Sequence, residues 1–319
     1  MSTSTASLLA PAEGSLLGAK RPRRARRGRT SMLAFVFLAP WLIGLFVLTL
    51  GPMLYSLYLS FTDYNLLAPV ANWIGLDNYI RIFTADPRAT ESMIVTTVYV
   101  LVAVPAILVV SMLVALLLNA KIGFLTGYRA LFYLPSLLGA SVAVAALWRV
   151  VWGDEGMVNE VLRFFGIDHA SWVGSPDTAL FTIIVLAVWT FGSTMIIFLA
   201  GLKQVPHELY EAAQVDGASR VRQFFAITVP MMTPIIFFNT LMVTISAFQA
   251  FTPAYVISGG TGGPADSTLF YTLYLYQQGF AQLNMGYASA LAWVLVVALA
   301  IFTALFFWSS RFWVHYGDK

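Results

Sequence analysis

Six apolar stretches, each long enough to cross a lipid bilayer as a helix, dominate this sequence. Crossing about 30 Å of hydrocarbon at a rise of about 1.5 Å per residue takes about 20 residues of helix. The stretches are residues 33–61, 92–119, 130–148, 178–201, 228–253 and 287–308. We therefore predict an all-α, polytopic membrane protein with six transmembrane helices.

The composition excludes a soluble globular protein. Hydrophobic residues make up 59% and charged residues 10% of the 319 residues, whereas soluble domains have about 45–50% apolar and about 25% charged residues. The chain has no cysteine and three histidines: His169, His207 and His315. Disulfides, thiolate metal sites and cysteine nucleophiles are therefore excluded, and the histidines are too scattered in the sequence for a zinc cluster.

Seven of the 18 lysines and arginines lie in one run, Lys20–Arg29, directly before the first apolar stretch. We interpret residues 1–30 as a disordered, basic cytoplasmic tail that fixes the orientation of the chain and can contact anionic lipid headgroups. This position favours membrane lipid over nucleic acid as the partner of the basic run. The first stretch is too long for the apolar part of a signal peptide.

The remaining basic residues indicate the topology. With a cytoplasmic N-terminus, 14 of the 18 fall on the cytoplasmic side, and only Arg81, Arg88, Arg149 and Arg163 lie outside or at the outer boundary. The positive-inside rule then predicts that both termini are cytoplasmic. Residues 31–313 form the membrane domain in this interpretation, and residues 314–319 form a second cytoplasmic tail.

Asp266 is the one charged residue between Arg222 and Arg311. No Asp, Glu, Lys or Arg lies in residues 223–265 or 267–310, and no histidine lies in any of the six stretches. A proton-coupled carrier is expected to hold a carboxylate or histidine at mid-membrane, so this mechanism is disfavoured, although lipid-facing helices explain the absence equally well. The chain also has no Walker A motif, because none of its four lysines precedes Ser or Thr.

Three segments outside the spans have recognisable patterns. Residues 73–83 and 157–167 place apolar residues three and four apart, which predicts short helices at the membrane interface. Residues 258–264, SGGTGGP, contain four glycines and are predicted to be irregular.

The segment between the fourth and fifth stretches predicts two short helices on the cytoplasmic surface. Pro206 suits a first helical turn, and Glu211 lies towards the N-terminal half, where the helix dipole favours negative charge. Gly217 can supply the left-handed residue that ends the first helix, and Ser219 can cap the second. Ala212 and the alanine after it give the first helix a thin side suited to a groove on another protein.

This segment resembles the EAA loop of binding-protein-dependent ABC importer permeases. The matching spacing is Glu211-Ala212-Ala213-x3-Gly217-x9-Ile227-x-Val229-Pro230, and only Val229 departs from it, because the family more often has Leu there. Four further segments resemble sugar permeases of the maltose and glycerol-phosphate type, most closely the first permease of the heterodimeric pair; they are residues 37–65, 75–83, 131–149 and 286–291.

The resemblance implies a type I ABC importer permease fold in a bacterial cytoplasmic membrane. It implies a second permease chain, two cytoplasmic ABC ATPase subunits and an extracytoplasmic solute-binding protein as partners. This chain would catalyse no reaction and bind no cofactor, because ATP and Mg would be bound by the ATPase. The coupling loop, about 202–227, would dock on the ATPase through Glu211, Ala212, Ala213, Asp216 and Gly217.

Polar stripes on the fourth and fifth spans are candidates for the path of a neutral sugar. If each span is one continuous helix, Trp189, Thr190 and Ser193 share one face of the fourth. Asn239, Ser246 and Gln249 share a face of the fifth. Helix packing explains Trp189 and Ser193 equally well, whereas Asn239 and Gln249 carry polar amides that suit a path or a contact between permeases.

Other solutes and other classes of transporter remain alternatives. The solute could be glycerol phosphate, a polyamine or an amino acid, although an anionic substrate favours Arg or Lys along the path. A secondary transporter would favour ten or more spans or an inverted repeat, and neither is seen in the sequence.

Overall fold

The computed structural model describes residues 36–68, 70–120, 125–139, 141–167 and 171–315. Within these ranges the chain is helical, and its β-structure is one isolated bridge between Thr62 and Trp73. The helices are α1 (Val36–Leu59, with a π-helical segment Gly44–Leu50), α2 (Asp77–Thr84), α3 (Pro87–Asn119), α4 (Leu125–Leu138), α5 (Val142–Val151), α6 (Met157–Phe164), α7 (Pro176–Trp189), α8 (Gly192–Leu202), α9 (His207–Val215), α10 (Arg220–Gln223, Phe224–Thr228 and Val229–Phe248), α11 (Thr252–Ile257), α12 (Tyr271–Tyr276 and Gln277–Ala281) and α13 (Met285–Trp313).

The chain divides into two compact units, Met1–Leu54 and Tyr55–Lys319. In the first unit the described residues are helical, none of them is buried, and large apolar side chains such as Trp41 and Phe46 are exposed. Such a surface suits hydrocarbon rather than water. The predicted basic tail, residues 1–30, lies outside the described residues.

Six spans are confirmed in number when each bent helix pair is counted as one. Within the part of the chain that the structure describes, four helices are long and apolar enough to cross a membrane, and the pairs α4–α5 and α7–α8 pass the same test together. The third and fourth spans are therefore broken, whereas the sequence predicted continuous helices. The bend is 99° between α4 and α5 and 42° between α7 and α8.

The fifth span is also interrupted near one end. The predicted stretch ran to residue 253, but α10 ends at Phe248 and α11 begins at Thr252. The short helices predicted within residues 73–83 and 157–167 are present as α2 and α6. Residues 258–264 are irregular, as their glycines predicted.

The core of the second unit lies around α3. One face of α3, which includes Tyr99 and Ala103, packs with α7 and with the segment from Leu269 to Tyr274. Nearer the other end of α3, Leu118 packs with Phe198 and Met232. This helix therefore holds the fourth and fifth spans against each other.

A buried carboxylate joins distant parts of the chain at the beginning of α3. Asp86 accepts hydrogen bonds from the hydroxyls of Tyr274 at 2.5 Å and Tyr287 at 2.6 Å, and its other oxygen caps α3 by accepting from the N–H of Ala89 at 3.1 Å. Burial alone would raise the pKa of the Asp86 carboxyl, but these hydrogen bonds together hold it below its ordinary value. Asp86 is therefore ionised at neutral pH and fixes α12 and α13 to α3.

Replacing Asp86 with alanine should destabilise the protein strongly. The change removes a helix cap and leaves two buried tyrosine hydroxyls without their acceptor, which costs about 3 kcal/mol in total. Thermal unfolding in detergent should show a lowered Tm, while Asp154→Asn, at an exposed carboxylate, serves as the control. Equal Tm values for the two variants would contradict the structural role of Asp86.

Candidate functional site

Two cavities lie between the second, fourth and fifth spans. The first, which we name the Asn239 cavity, has a volume of about 330 Å³ and is lined by Asn239 and Ser246 of α10. The second, the Gln249 cavity, has a volume of about 380 Å³ and is lined by Gln249 and by Thr252 of α11. Thr190 and Ser193 line both cavities. The predicted polar stripes of the fourth and fifth spans therefore face each other.

The three interruptions of the spans meet at the Gln249 cavity. Its lining includes Gly139 from the break between α4 and α5, Thr190 from the break between α7 and α8, and Gln249 from the break between α10 and α11. Non-helical backbone at membrane depth is tolerated only where it is buried in protein or lines a water-filled cavity. The breaks thus mark this cavity as a polar region within the membrane domain.

Gly139 is required by the close approach of the third and fourth spans. A Cβ atom at this position would clash with the side chain of Thr190. The absence of a side chain at Gly139 therefore allows two broken helices to meet at the cavity wall.

Several polar side chains that line the cavities have no hydrogen-bond partner among the described residues. Asn239 is 2% exposed, and its Nδ2 atom is buried without a partner. Hydroxyls elsewhere on these helices bond to their own backbone, as Thr240 does to the carbonyl of Ile236 at 2.7 Å. An unmade hydrogen bond of this kind is costly, so Asn239 is a polar group at the cavity wall that the described fold leaves unsatisfied.

Trp189 lies apart from its predicted neighbours. Its ring packs against Trp148, with 5.9 Å between ring centroids, and Trp189 does not line either cavity. The face predicted for the fourth span assumed a continuous helix, whereas α7 ends at Trp189 and the following residues turn away from its axis. Thr190 and Ser193 do line the cavities, so the break separates Trp189 from them.

Tyr99 lines both cavities, although the sequence patterns did not select it. It lies on α3, where Ser92, Thr96 and Tyr99 follow one another at spacings of four and three residues and so share a face. One signal was present, because Tyr99 is the only aromatic residue in the second apolar stretch.

The coupling loop folds as its sequence predicts. Helix α9 begins directly after Pro206, which occupies the N-cap rather than the first turn. Gly217 has a φ of 74°, and the N–H groups of Gly217 and Ala218 bond to the carbonyls of Gln214 and Ala213 at 3.0 and 2.8 Å. These two bonds form a Schellman motif. Ser219 then caps the next helix by accepting from the N–H of Arg222 at 3.3 Å.

The surface of this loop is exposed. No residue of α9 is buried, and Glu211 contacts His207 at 3.1 Å on its outer face. Val215 is 89% exposed and Val221 is 67% exposed. A tether joins the loop to the membrane domain, because the hydroxyls of Tyr210 and Thr228 lie 2.8 Å apart. This hydrogen bond connects α9 to the π-helical segment at the beginning of the fifth span.

Comparison with known proteins identifies the family. The model of the family described as "Binding-protein-dependent transport system inner membrane component" matches residues 78–315. The probable ABC transporter permease protein YesP of Bacillus subtilis is 50% identical and the alignment covers 95% of this chain and 98% of YesP. The arabinooligosaccharides transport system permease protein AraP of Halalkalibacterium halodurans is 33% identical, with 85% of each chain covered. This chain belongs to that family of membrane transport components.

Solved structures show the same fold. A chain of a bacterial ABC transporter involved in the import of the acidic polysaccharide alginate matches with a TM-score of 0.72 and 21% identity, covering 89% of this chain and 96% of the other. A chain of the alginate transporter in complex with its pentasaccharide-bound periplasmic protein matches with a TM-score of 0.77 and 22% identity, covering 89% and 95%. The type I ABC importer permease fold expected from the sequence is confirmed.

Two buried asparagines should respond in opposite ways to replacement by leucine. Asn78→Leu loses hydrogen bonds to the carbonyls of Ser60 and Thr62, each 2.9 Å long, and should lower the free energy of unfolding by about 2 kcal/mol. Asn239→Leu loses no such bond at Nδ2 and should leave the Tm unchanged or raised. Thermal unfolding of both variants tests this, and a large loss at Asn239 would mean that its amide is satisfied within the fold.

Proposed function

We propose that this member of the binding-protein-dependent transport family is the permease subunit of an ATP-driven importer of a neutral sugar or oligosaccharide. The observation that carries the proposal is the Gln249 cavity, where three broken spans meet among uncharged polar groups. A sugar that leaves water must exchange its hydrogen bonds for bonds to protein. Hydroxyl and amide side chains can do so without a counter-charge.

The names of several relatives support sugar as the substrate class. One relative is the AraP permease for arabinooligosaccharides, and another is the lactose transport system permease LacF of Rhizobium radiobacter, 32% identical with 87% and 93% of the two chains covered. No charged residue lines the Asn239 or Gln249 cavity in the described chain. This disfavours glycerol phosphate, polyamines and charged amino acids, for which an opposite charge in the path is expected.

The partners follow from the same proposal. The chain pairs with a second permease, receives sugar from the extracytoplasmic binding protein, and docks on one of two cytoplasmic ABC ATPases. ATP and Mg bind to the ATPase, and this chain performs no catalysis of its own. The exposed apolar residues of the coupling loop support such docking, since Leu209, Val215, Val221 and Phe225 would lose contact with water there.

Transport requires two conformations whose balance the partners change. Closure of the ATPase pair would push on α9, and the bond between Tyr210 and Thr228 would carry that push into α10. Asn239, Ser246 and Gln249 lie further along the same helix and at its end. Their positions would then shift with each ATPase cycle.

Gln249→Leu should reduce uptake while the fold is retained. Loss of one hydrogen-bond partner for the sugar costs about 1 to 3 kcal/mol, which lowers transport roughly 5- to 100-fold. Uptake of radiolabelled arabinose oligosaccharides, lactose and maltose into proteoliposomes with binding protein and ATP measures the effect. Thr240→Val is the matched control, because the Thr240 hydroxyl is bonded to its own helix. If Gln249→Leu takes up sugar as fast as Thr240→Val, Gln249 does not contact the sugar along the path.

Gly217→Ala should uncouple transport, because its φ of 74° is strained for a residue with a Cβ atom. Gly75 provides the control, since its φ is 62° and a Cβ atom added at either glycine would meet no other atom within 4 Å. The two variants have a similar backbone cost of about 1 to 2 kcal/mol. ATP-driven uptake per inserted transporter should fall for Gly217→Ala, and for Glu211→Ala, but not for Gly75→Ala. If uptake falls by a similar factor in Gly217→Ala and Gly75→Ala, the loss is explained by lowered stability and not by uncoupling.

The coupling loop and both termini should be cytoplasmic. The chain lacks cysteine, so a Gln214→Cys variant carries a single thiol at an exposed position of α9. An impermeant thiol reagent should label it in inverted vesicles and not in intact cells. Labelling from outside intact cells would overturn the orientation and the docking on the ATPase.

A further inference from the structure

The Asn239 and Gln249 cavities share part of their lining. Both are lined by Tyr99, Ala187, Thr190 and Ser193. Ala187 offers only a methyl group, and the Thr190 hydroxyl is bonded to the carbonyl of Ala187 at 2.8 Å. Tyr99 is therefore the one large side chain among the shared residues.

The two cavities follow each other along the bundle rather than lying side by side. Asn239 lies within the helical segment Val229–Phe248 and Gln249 follows it directly. The two residues are ten positions apart, which corresponds to a rise of about 15 Å. Ile197 of α8 lines the Asn239 cavity, whereas Leu186 of α7 lines the Gln249 cavity. Along the fourth span as along the fifth, the Asn239 cavity thus lies towards one end of the bundle and the Gln249 cavity towards the other.

Tyr99 is held in place by its ring but not by its hydroxyl. The ring packs against Phe270 with 4.7 Å between centroids, and the residue is 5% exposed. Buried tyrosine hydroxyls normally find a partner, as Tyr271 does at the carbonyl of Leu291, 2.8 Å away. The Tyr99 hydroxyl makes no hydrogen bond to any residue that the structure describes. It is not among the fully buried polar atoms that lack a partner, so it is open to the cavities that Tyr99 lines.

We propose that Tyr99 is the residue that separates the two cavities and that its hydroxyl hydrogen-bonds the sugar as it passes from one cavity to the other. This rests on the proposed function and adds the second span to the path. A phenol suits the position, because its hydroxyl can donate to and accept from a sugar hydroxyl while its ring stays packed in the core. Passage requires the side chain to be exposed to each cavity in turn.

Thiol accessibility tests the separating position without knowledge of the sugar. Single-cysteine variants at Tyr99, Ser246, Gln249 and Tyr271 are assembled with their partners in right-side-out and inverted vesicles. The probe is a negatively charged, impermeant methanethiosulfonate. We expect the Tyr99→Cys variant to react from one side without nucleotide and from the opposite side after trapping with ATP and vanadate. Tyr271→Cys, at a buried and bonded position, should stay unreactive.

The controls separate failure of this inference from failure of the proposed function. If Ser246→Cys and Gln249→Cys react but Tyr99→Cys does not, or reacts from the same side in both states, the role of Tyr99 is overturned and the path stands. If none of these three variants reacts in either state, the path itself is wrong, and the inference falls with it.

Tyr99→Phe tests the hydroxyl separately, because it keeps the ring. At saturating sugar-loaded binding protein, uptake should fall roughly 2- to 10-fold through loss of one hydrogen bond. The loss should differ between sugars such as lactose and arabinose oligosaccharides, since their hydroxyls meet Tyr99 differently, whereas a purely structural defect lowers all uptake rates by one factor. Tyr271→Phe, which loses a bond within the protein, is the control for that defect. Uptake by Tyr99→Phe equal to wild type, or reduced by one common factor for every sugar, overturns the hydroxyl contact.

Discussion

The need to satisfy every backbone hydrogen bond inside hydrocarbon governs this structure. Continuous helices meet the need by themselves, and a break in a helix does not. Here the third, fourth and fifth spans are broken, and Gly139, Thr190 and Gln249 bring the three breaks to one cavity. The Gln249 cavity therefore lies where these three spans are interrupted.

The remaining parts of the second unit hold these broken spans in position. At one end, Asp86 joins α3 to α12 and α13 through two tyrosine hydroxyls. At the other end, the bond between Tyr210 and Thr228 joins the coupling loop to the fifth span. Two helices that line the cavities, α3 and α10, are thus each bonded to a neighbouring element at one end. This arrangement suits a protein whose energy is supplied by a partner rather than by its own charged groups.

The sequence predicted the elements that depend on local chemistry. The lengths of the apolar stretches predicted the number of spans, and the positions of Gly217 and Ser219 predicted the two helices of the coupling loop. It also selected Thr190, Ser193, Asn239, Ser246 and Gln249, all of which line the cavities.

What the sequence could not predict depends on contacts between distant segments. The break after Trp189 contains no proline, so nothing in the sequence indicated that the helix is interrupted there. A wheel drawn for a continuous helix placed Trp189 on the same face as Thr190, whereas the bend separates the two side chains. The partners of Asp86 lie 188 and 201 residues away. Tyr99 lies in a stretch of mostly aliphatic residues on α3, and only the packed structure shows that it lines both cavities.

The most direct test of the sugar path is an experimental structure of the assembled transporter, trapped with its sugar. We expect sugar density within hydrogen-bond distance of Asn239 or Gln249, in a cavity walled by the three helix breaks. Asn239 and Gln249 facing lipid, or sugar bound along a different face of the helices, would contradict this path.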